Sequence, residues 1–74
     1  MAVYNDVVNI AKNYLGLAAE EYIDRRCRIS LSVDAKILEK EHLDRLADSI
    51  SLSVTAYISE EKAQSFVKEI LALK

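Results

Sequence analysis

The sequence contains no proline and no tryptophan, and its 74 residues include a single glycine, a single cysteine and a single histidine. So little proline and glycine argues against a flexible linker, and a hydrophobic content of 51% supplies enough apolar surface for a folded core. One cysteine cannot form an internal disulfide, and one cysteine with one histidine is too small a ligand set for structural zinc. We therefore expect no cofactor and no metal. A core of this size rarely contributes more than about 3–5 kcal/mol, so a partner subunit is the expected additional source of stability.

The sequence also lacks an excess of charge of one sign. Ten basic and twelve acidic side chains give a net charge of −2, which provides no general attraction to nucleic acid or to an anionic membrane. No apolar run reaches the roughly 18 residues that span a bilayer, and the N-terminus lacks the basic segment and apolar core of a signal peptide. We expect a cytoplasmic protein with no membrane partner, and a nucleic-acid partner is disfavoured.

Apolar residues recur at helical spacing over 2–26, which predicts one long amphipathic helix. Its apolar arc covers about half of the circumference, against the roughly 100° of an ordinary surface helix. Such a helix is expected to pack against two neighbours, one of which can belong to another chain. One of its stripes is the predicted surface between two copies: Val3, Val7, Ile10, Tyr14 and Leu17. Gly16 either lets another backbone approach closely or is merely tolerated within the helix.

The pentapeptide Ile-Ser-Leu-Ser-Val occurs at 29–33 and again at 50–54, and its alternation of apolar and polar residues is typical of a half-buried strand. The second copy lies within a longer helical pattern, so we predict a helix over 40–58. The pattern of residues 28–39, which contain the first copy, leaves their conformation open. We predict an apolar connector over the core, with at most one short helical turn.

A third helix is predicted over 60–73. Ser59 is a suitable N-cap, and Glu60 and Glu61 lie where the helix dipole favours negative charge. The predicted fold is therefore a single all-α domain over 1–74, a small three-helix bundle with an apolar connector between helices 1 and 2.

Arg25, Arg26 and Arg28 form the densest cluster of charge in the chain. Arginine side chains suit contact with a phosphate or a carboxylate, so the cluster can bind an anionic partner. The same residues also neutralise a helix C-terminus, with Glu21 and Asp24 one turn earlier as ion-pair partners. Both interpretations remain open.

Cys27 lies among these arginines, and such surroundings can lower a thiol pKa and activate it as a nucleophile. Nucleophilic catalysis also needs a base, and His42, fifteen residues further on, is the only histidine. We therefore predict no catalytic residue and no enzyme activity.

The run Tyr14-Leu15-Gly16-Leu17-Ala18-Ala19, followed by residues 20–26, resembles an element of small helical domains attached to bacterial signalling proteins, including response regulators and kinases. In that element an aliphatic residue, glycine and proline open the motif, and Leu17 stands here in place of the proline. Leu46-Ala47-Asp48-Ser49-Ile50 and the helix through Phe66 correspond to the helices that follow. The resemblance implies a role in bacterial regulation and adds no catalytic residue.

These observations predict a non-catalytic protein–protein interaction or oligomerisation module, part of a bacterial signalling or regulatory system. Its expected partner is a second copy of the chain, in a homodimer, or another helical protein. The alternative is a regulatory module that binds DNA, or a phosphorylated or acidic protein, through Arg25, Arg26 and Arg28.

Overall fold

A computed structural model describes residues 2–74 and contains helices α1 (Ala2–Leu15), α2 (Ala19–Arg26), α3 (Leu43–Ser53) and α4 (Glu60–Leu71). Short 3-10 and π turns extend these helices, so that helical residues are continuous over 2–31, 40–56 and 60–71. No strand occurs within residues 2–74. The predicted all-α class and the bundle of three helical segments are confirmed.

The first helical segment folds back on itself at Gly16. This residue has a φ of +61°, in the left-handed region that commonly ends a helix. The Tyr4 hydroxyl donates a hydrogen bond to Asp24 Oδ1 at 3.1 Å, although twenty residues of continuous helix would set these residues about 30 Å apart. Helices α1 and α2 therefore form an antiparallel hairpin, and the predicted single helix over 2–26 is wrong.

The hairpin also decides the role of the glycine. A Cβ atom at Gly16 would meet no atom within 4 Å, so close backbone packing does not explain it. The residue is not merely tolerated either, because its positive φ provides the turn.

Helix α2 buries every fourth residue, and a π turn allows it to continue doing so. The buried residues are Ala19, Ile23, Cys27 and Leu31. In an α-helix of 3.6 residues per turn, a repeat of four drifts by about 40° at each step. The π turn Cys27–Leu31 winds more slowly, so it keeps Leu31 on the core, and left-handed Ser32 (φ 56°) then ends the segment.

The predicted apolar connector over 28–39 is shorter than expected: residues 28–31 belong to the π turn that ends the first segment, and residues 32–39 join it to the second. Leu31, Ala35 and Leu38 are buried against the core. The connector also contains a 3-10 turn, Ala35–Ile37, which Asp34 caps by accepting a hydrogen bond from the Lys36 amide at 2.9 Å. It is thus more helical than the single short turn we predicted.

The second copy of the pentapeptide is helical, as predicted. It begins in α3 and ends in the 3-10 turn Val54–Ala56, and helical residues stop two positions before the predicted end at 58. Ile50 and Val54 are buried and Leu52 is exposed, whereas in the first copy Leu31 is buried and Ile29 is exposed. Identical residues therefore bury opposite faces, because neighbouring elements determine which face meets the core.

Helix α4 closes the bundle after a tight corner. Ser59 caps it as predicted, since its Oγ accepts a hydrogen bond from the Lys62 amide at 3.2 Å. The fully buried Phe66 ring stacks on Tyr14 with 4.9 Å between centroids and 4° between planes. This contact packs α4 against α1 and leaves the outer face of α2 uncovered.

Candidate interaction surface

The stripe predicted to join two copies does not form one surface. Val7 is fully buried in the core of the protein itself, while Val3, Ile10 and Tyr14 are half-buried against that core. Leu17 lies beyond the turn at Gly16, and its side chain is fully exposed. The fold-back is the physical reason, because residues on either side of it no longer share a helix face.

The outer face of α2 instead carries two groups of opposite charge. Glu20 and Glu21 lie in its first turn, and Arg25 and Arg28 lie at and just beyond its last turn. These four side chains are exposed and line one shallow depression together with Leu17. The charge therefore changes sign along the helix, from acidic at the N-terminal end to basic at the C-terminal end, which the helix dipole favours.

The charged residues interact only weakly within the chain. Arg25 Nη2 donates to Glu21 Oε1 at 3.4 Å, and the two side chains remain 55% and 80% exposed. Exposed pairs at this spacing contribute about 0.3–0.5 kcal/mol. Both side chains are thus free to exchange this contact for one with a partner.

An open groove of about 220 Å³ adjoins this face on the side of α3. Leu15, Ala18 and Ala56 supply part of its apolar lining, and the rings of Tyr22 and Tyr57 meet edge to face with 5.9 Å between centroids. Glu21, Arg25 and Arg26 provide the charged lining of the groove. The groove thus combines an apolar interior with ionic groups, as protein interfaces do.

The three arginines of the predicted anion site have different neighbours. Arg25 pairs with Glu21, as described above, and the Arg26 guanidinium carbon lies 5.8 Å from the centroid of the Tyr22 ring. Arg28 lines the depression with Arg25 and also a second cavity, whose lining includes Asp34. The Arg26 Nε is buried and donates to no acceptor within residues 2–74. The three arginines that cluster in the sequence therefore have different neighbours in the structure and do not converge on one anion site.

Hydroxyl groups fix the orientation of α2 against α3. The Tyr22 hydroxyl and Ser53 Oγ are 2.5 Å apart, and Ser53 Oγ donates to the Ser49 carbonyl at 2.9 Å. Ser30 Oγ and the buried Ser49 Oγ are 2.6 Å apart. Ser30 and Ser53 belong to the two pentapeptide copies, where their alternation with apolar residues indicated only a polar face. Nothing in the sequence pattern indicated the contacts of Tyr22 or Ser49.

Cys27 and His42 are not brought together as nucleophile and base. Cys27 is fully buried, and burial raises the pKa of its thiol to about 11, with further contributions from Asp24 and Asp34. These surroundings disfavour the thiolate, contrary to the activation considered from sequence. His42 Nδ1 accepts a hydrogen bond from the Glu39 amide at 3.0 Å and so caps the turn Lys40–His42.

Residues 2–74 hold no group of three side chains suited to binding a metal ion. Their helices are all too short or too polar to cross a membrane.

Comparisons of the chain with protein-family models, with curated proteins and with solved structures find no match.

Proposed function

We propose that this protein is a non-catalytic protein–protein interaction module that forms a homodimer. The observation that supports the proposal is the full exposure of Leu17, in the 3-10 turn that leads into α2 and next to the groove lined by Tyr57. Burying a leucine side chain contributes about 1.5–3 kcal/mol. A partner that covers this face therefore buries Leu17 and stabilises the folded chain, whereas the isolated chain leaves this side chain in water.

The size of the chain supports association for a second reason. A domain of 74 residues buries only about 60% of the surface of its unfolded chain, so its stability as a monomer is marginal. A subunit that binds only the folded state adds to this stability by mass action.

The proposal also includes the biological system and the compartment in which the protein acts. A place in a bacterial signalling or regulatory system rests on the resemblance of residues 14–26 described above. A cytoplasmic location rests on Cys27, because a free buried thiol suits a reducing compartment.

Sedimentation equilibrium tests the proposed homodimer. Over total concentrations of about 10 µM to about 1 mM, we expect the mass to rise from that of the 8.3 kDa chain towards twice that value. A mass of 8.3 kDa across the whole range would refute the homodimer.

Arg26 favours a second candidate function, which is recognition of an anionic partner. Its Nε is buried without an acceptor, and its guanidinium lines the groove. A carboxylate or a phosphate in the groove would form a charge-assisted hydrogen bond with this guanidinium, and a turn of the Arg26 side chain would be needed for the covered Nε to donate to it.

Chromatography on heparin and binding to duplex DNA at low salt test this second function. We expect retention of the native protein and loss of retention in a variant carrying Arg25→Ala, Arg26→Ala and Arg28→Ala. Absence of binding by the native protein would rule out a nucleic-acid partner for these arginines.

A further inference from the structure

We propose that two copies of the chain pair through the outer faces of α2, antiparallel, with the acidic half of each helix against the basic half of the other. The inference rests on the proposed homodimer, because it identifies the surface on which that dimer forms.

Four exposed side chains carry the pairing. Leu17, Glu21, Arg25 and Ile29 repeat every fourth residue along the second half of the first helical segment, and each is exposed. From either end, the row begins with an apolar residue, continues with two opposite charges and ends with an apolar residue. A two-fold axis that crosses the exposed face at the level of Ile23 along the helix would place Leu17 opposite Ile29 and Glu21 opposite Arg25. A surface of this kind is complementary to itself, as a two-fold dimer requires.

The distribution of charge favours the antiparallel orientation. Glu20 and Arg28 extend the same polarity towards the two ends of the row. In a parallel pair, acidic residues would face acidic residues and basic residues would face basic ones. In an antiparallel pair each charge meets its opposite, and the two helix dipoles also oppose each other favourably.

The same distribution points to a second copy as the occupant. The four charged side chains of the face sum to zero, so a strongly acidic or strongly basic partner would match only one half of it. Asp24, the remaining acid of the depression, is half-buried and accepts the hydrogen bond of Tyr4 at 3.1 Å. The exposed charges of the depression are therefore two of each sign. In a reversed copy Glu21 meets Arg25 directly, and Glu20 and Arg28 each lie within one turn of an opposite charge.

The dimer is expected to be weak. Residues 17–29 span about 20 Å of helix, and a helix pair of this length buries less than the roughly 1,200 Å² of a standard interface. A dissociation constant on the order of 10–100 µM is appropriate to such a contact.

Two variants with charge of one sign on this face test the pairing. Glu20→Lys with Glu21→Lys makes the face basic, and Arg25→Glu with Arg28→Glu makes it acidic. Either variant alone places like charges opposite each other, and we expect its dissociation constant to rise at least about 30-fold. An equimolar mixture restores opposite charges across the interface, so we expect a one-to-one dimer of the two variants by sedimentation.

Three serine variants test the same surface without changing its charge. Leu17→Ser and Ile29→Ser remove the two apolar ends of the row, and we expect each to weaken the dimer at least about 10-fold. Ile37→Ser is the matched control, because Ile37 is 62% exposed and Ile29 is 64% exposed. Circular dichroism of every variant confirms that the fold is retained, and the serine variants decide the matter if a charge variant fails to fold.

The outcomes separate this inference from the proposed function. Dimerisation of the mixed charge variants, together with weakening by Leu17→Ser and Ile29→Ser but not by Ile37→Ser, would support the pairing. A native dimer that none of these changes weakens would overturn the α2 surface and leave the homodimer standing. A native protein that stays monomeric to about 1 mM would overturn both.

Discussion

Replacing Gly16 with alanine tests the hairpin that brings α2 alongside α1. The φ of Gly16 is +61°, and a left-handed conformation costs an L-residue with a Cβ about 1–2 kcal/mol. Alanine also restricts the unfolded chain more than glycine does, which raises the free energy of unfolding by about 0.4–1 kcal/mol. A Cβ at this position would meet no atom within 4 Å, so no clash is added. We expect a net loss of about 1 kcal/mol in the free energy of unfolding.

The sign of this change distinguishes a hairpin from a continuous helix. If residues 2–26 were a single helix, alanine would replace a poor helix former and stabilise the protein by about 1 kcal/mol. Urea unfolding at one fixed protein concentration, followed by circular dichroism at 222 nm, measures the difference. With a slope of about 1 kcal/mol/M, the midpoint should fall by about 1 M.

Gly16→Asn provides the control, because asparagine tolerates the left-handed region better than alanine. We expect its midpoint to lie between those of the native protein and Gly16→Ala. A midpoint that rises on Gly16→Ala, with a gain in helical signal, would refute the hairpin.

Other predictions concern the core. Burial raises the pKa of Cys27 from 9.0 to about 11. The folded protein should therefore react with iodoacetamide at pH 8 at least about 100-fold more slowly than the unfolded chain. Equal rates would contradict burial of the thiol. Burial and the hydrogen bond to Asp24 raise the pKa of Tyr4 from 10.0 to about 12. Both groups hold their protons more tightly in the folded state than in the unfolded chain. Their contribution to the free energy of unfolding should therefore be fully present below about pH 9 and be lost as the pH rises towards 11–12. A urea midpoint that is the same at pH 8 and at pH 10.5 would contradict this. Phe66→Ala should cost about 3–5 kcal/mol, comparable to the whole stability of so small a core, and cooperative thermal unfolding of this variant would show that the cost is smaller.

The helical segments could be predicted because their signals are local. Apolar periodicity placed α3 and α4, and Ser59 marked the start of α4 as an N-cap, which the hydrogen bond from the Lys62 amide confirms. The turn at Gly16 could not be predicted in this way. The apolar spacing continues across residues 16–18, and the reversal shows only in the structure, through the positive φ of Gly16 and the hydrogen bond between Tyr4 and Asp24.

The candidate surface could be predicted only in part. Arg25 and Arg28 were placed correctly near the end of a helix, but their neighbours depend on how the segments pack. Whether an apolar stripe faces a core or a partner depends on packing as well, which is why Val7 is buried and Leu17 is exposed. Periodicity describes one helix at a time and carries no information on what covers it.

The π turn Cys27–Leu31 gives the number of residues in this part of the chain a structural meaning. A π turn is an α-helical turn that has gained one residue. Deleting one residue here would remove the extra residue and restore a regular α-helical turn, so Leu31 would still point towards the interior. The same deletion within the regular turns of α2 would instead rotate everything beyond it by about 100° and shorten the helix by about 1.5 Å. Loss of a residue is therefore less damaging at this π turn than within Ala19–Arg26.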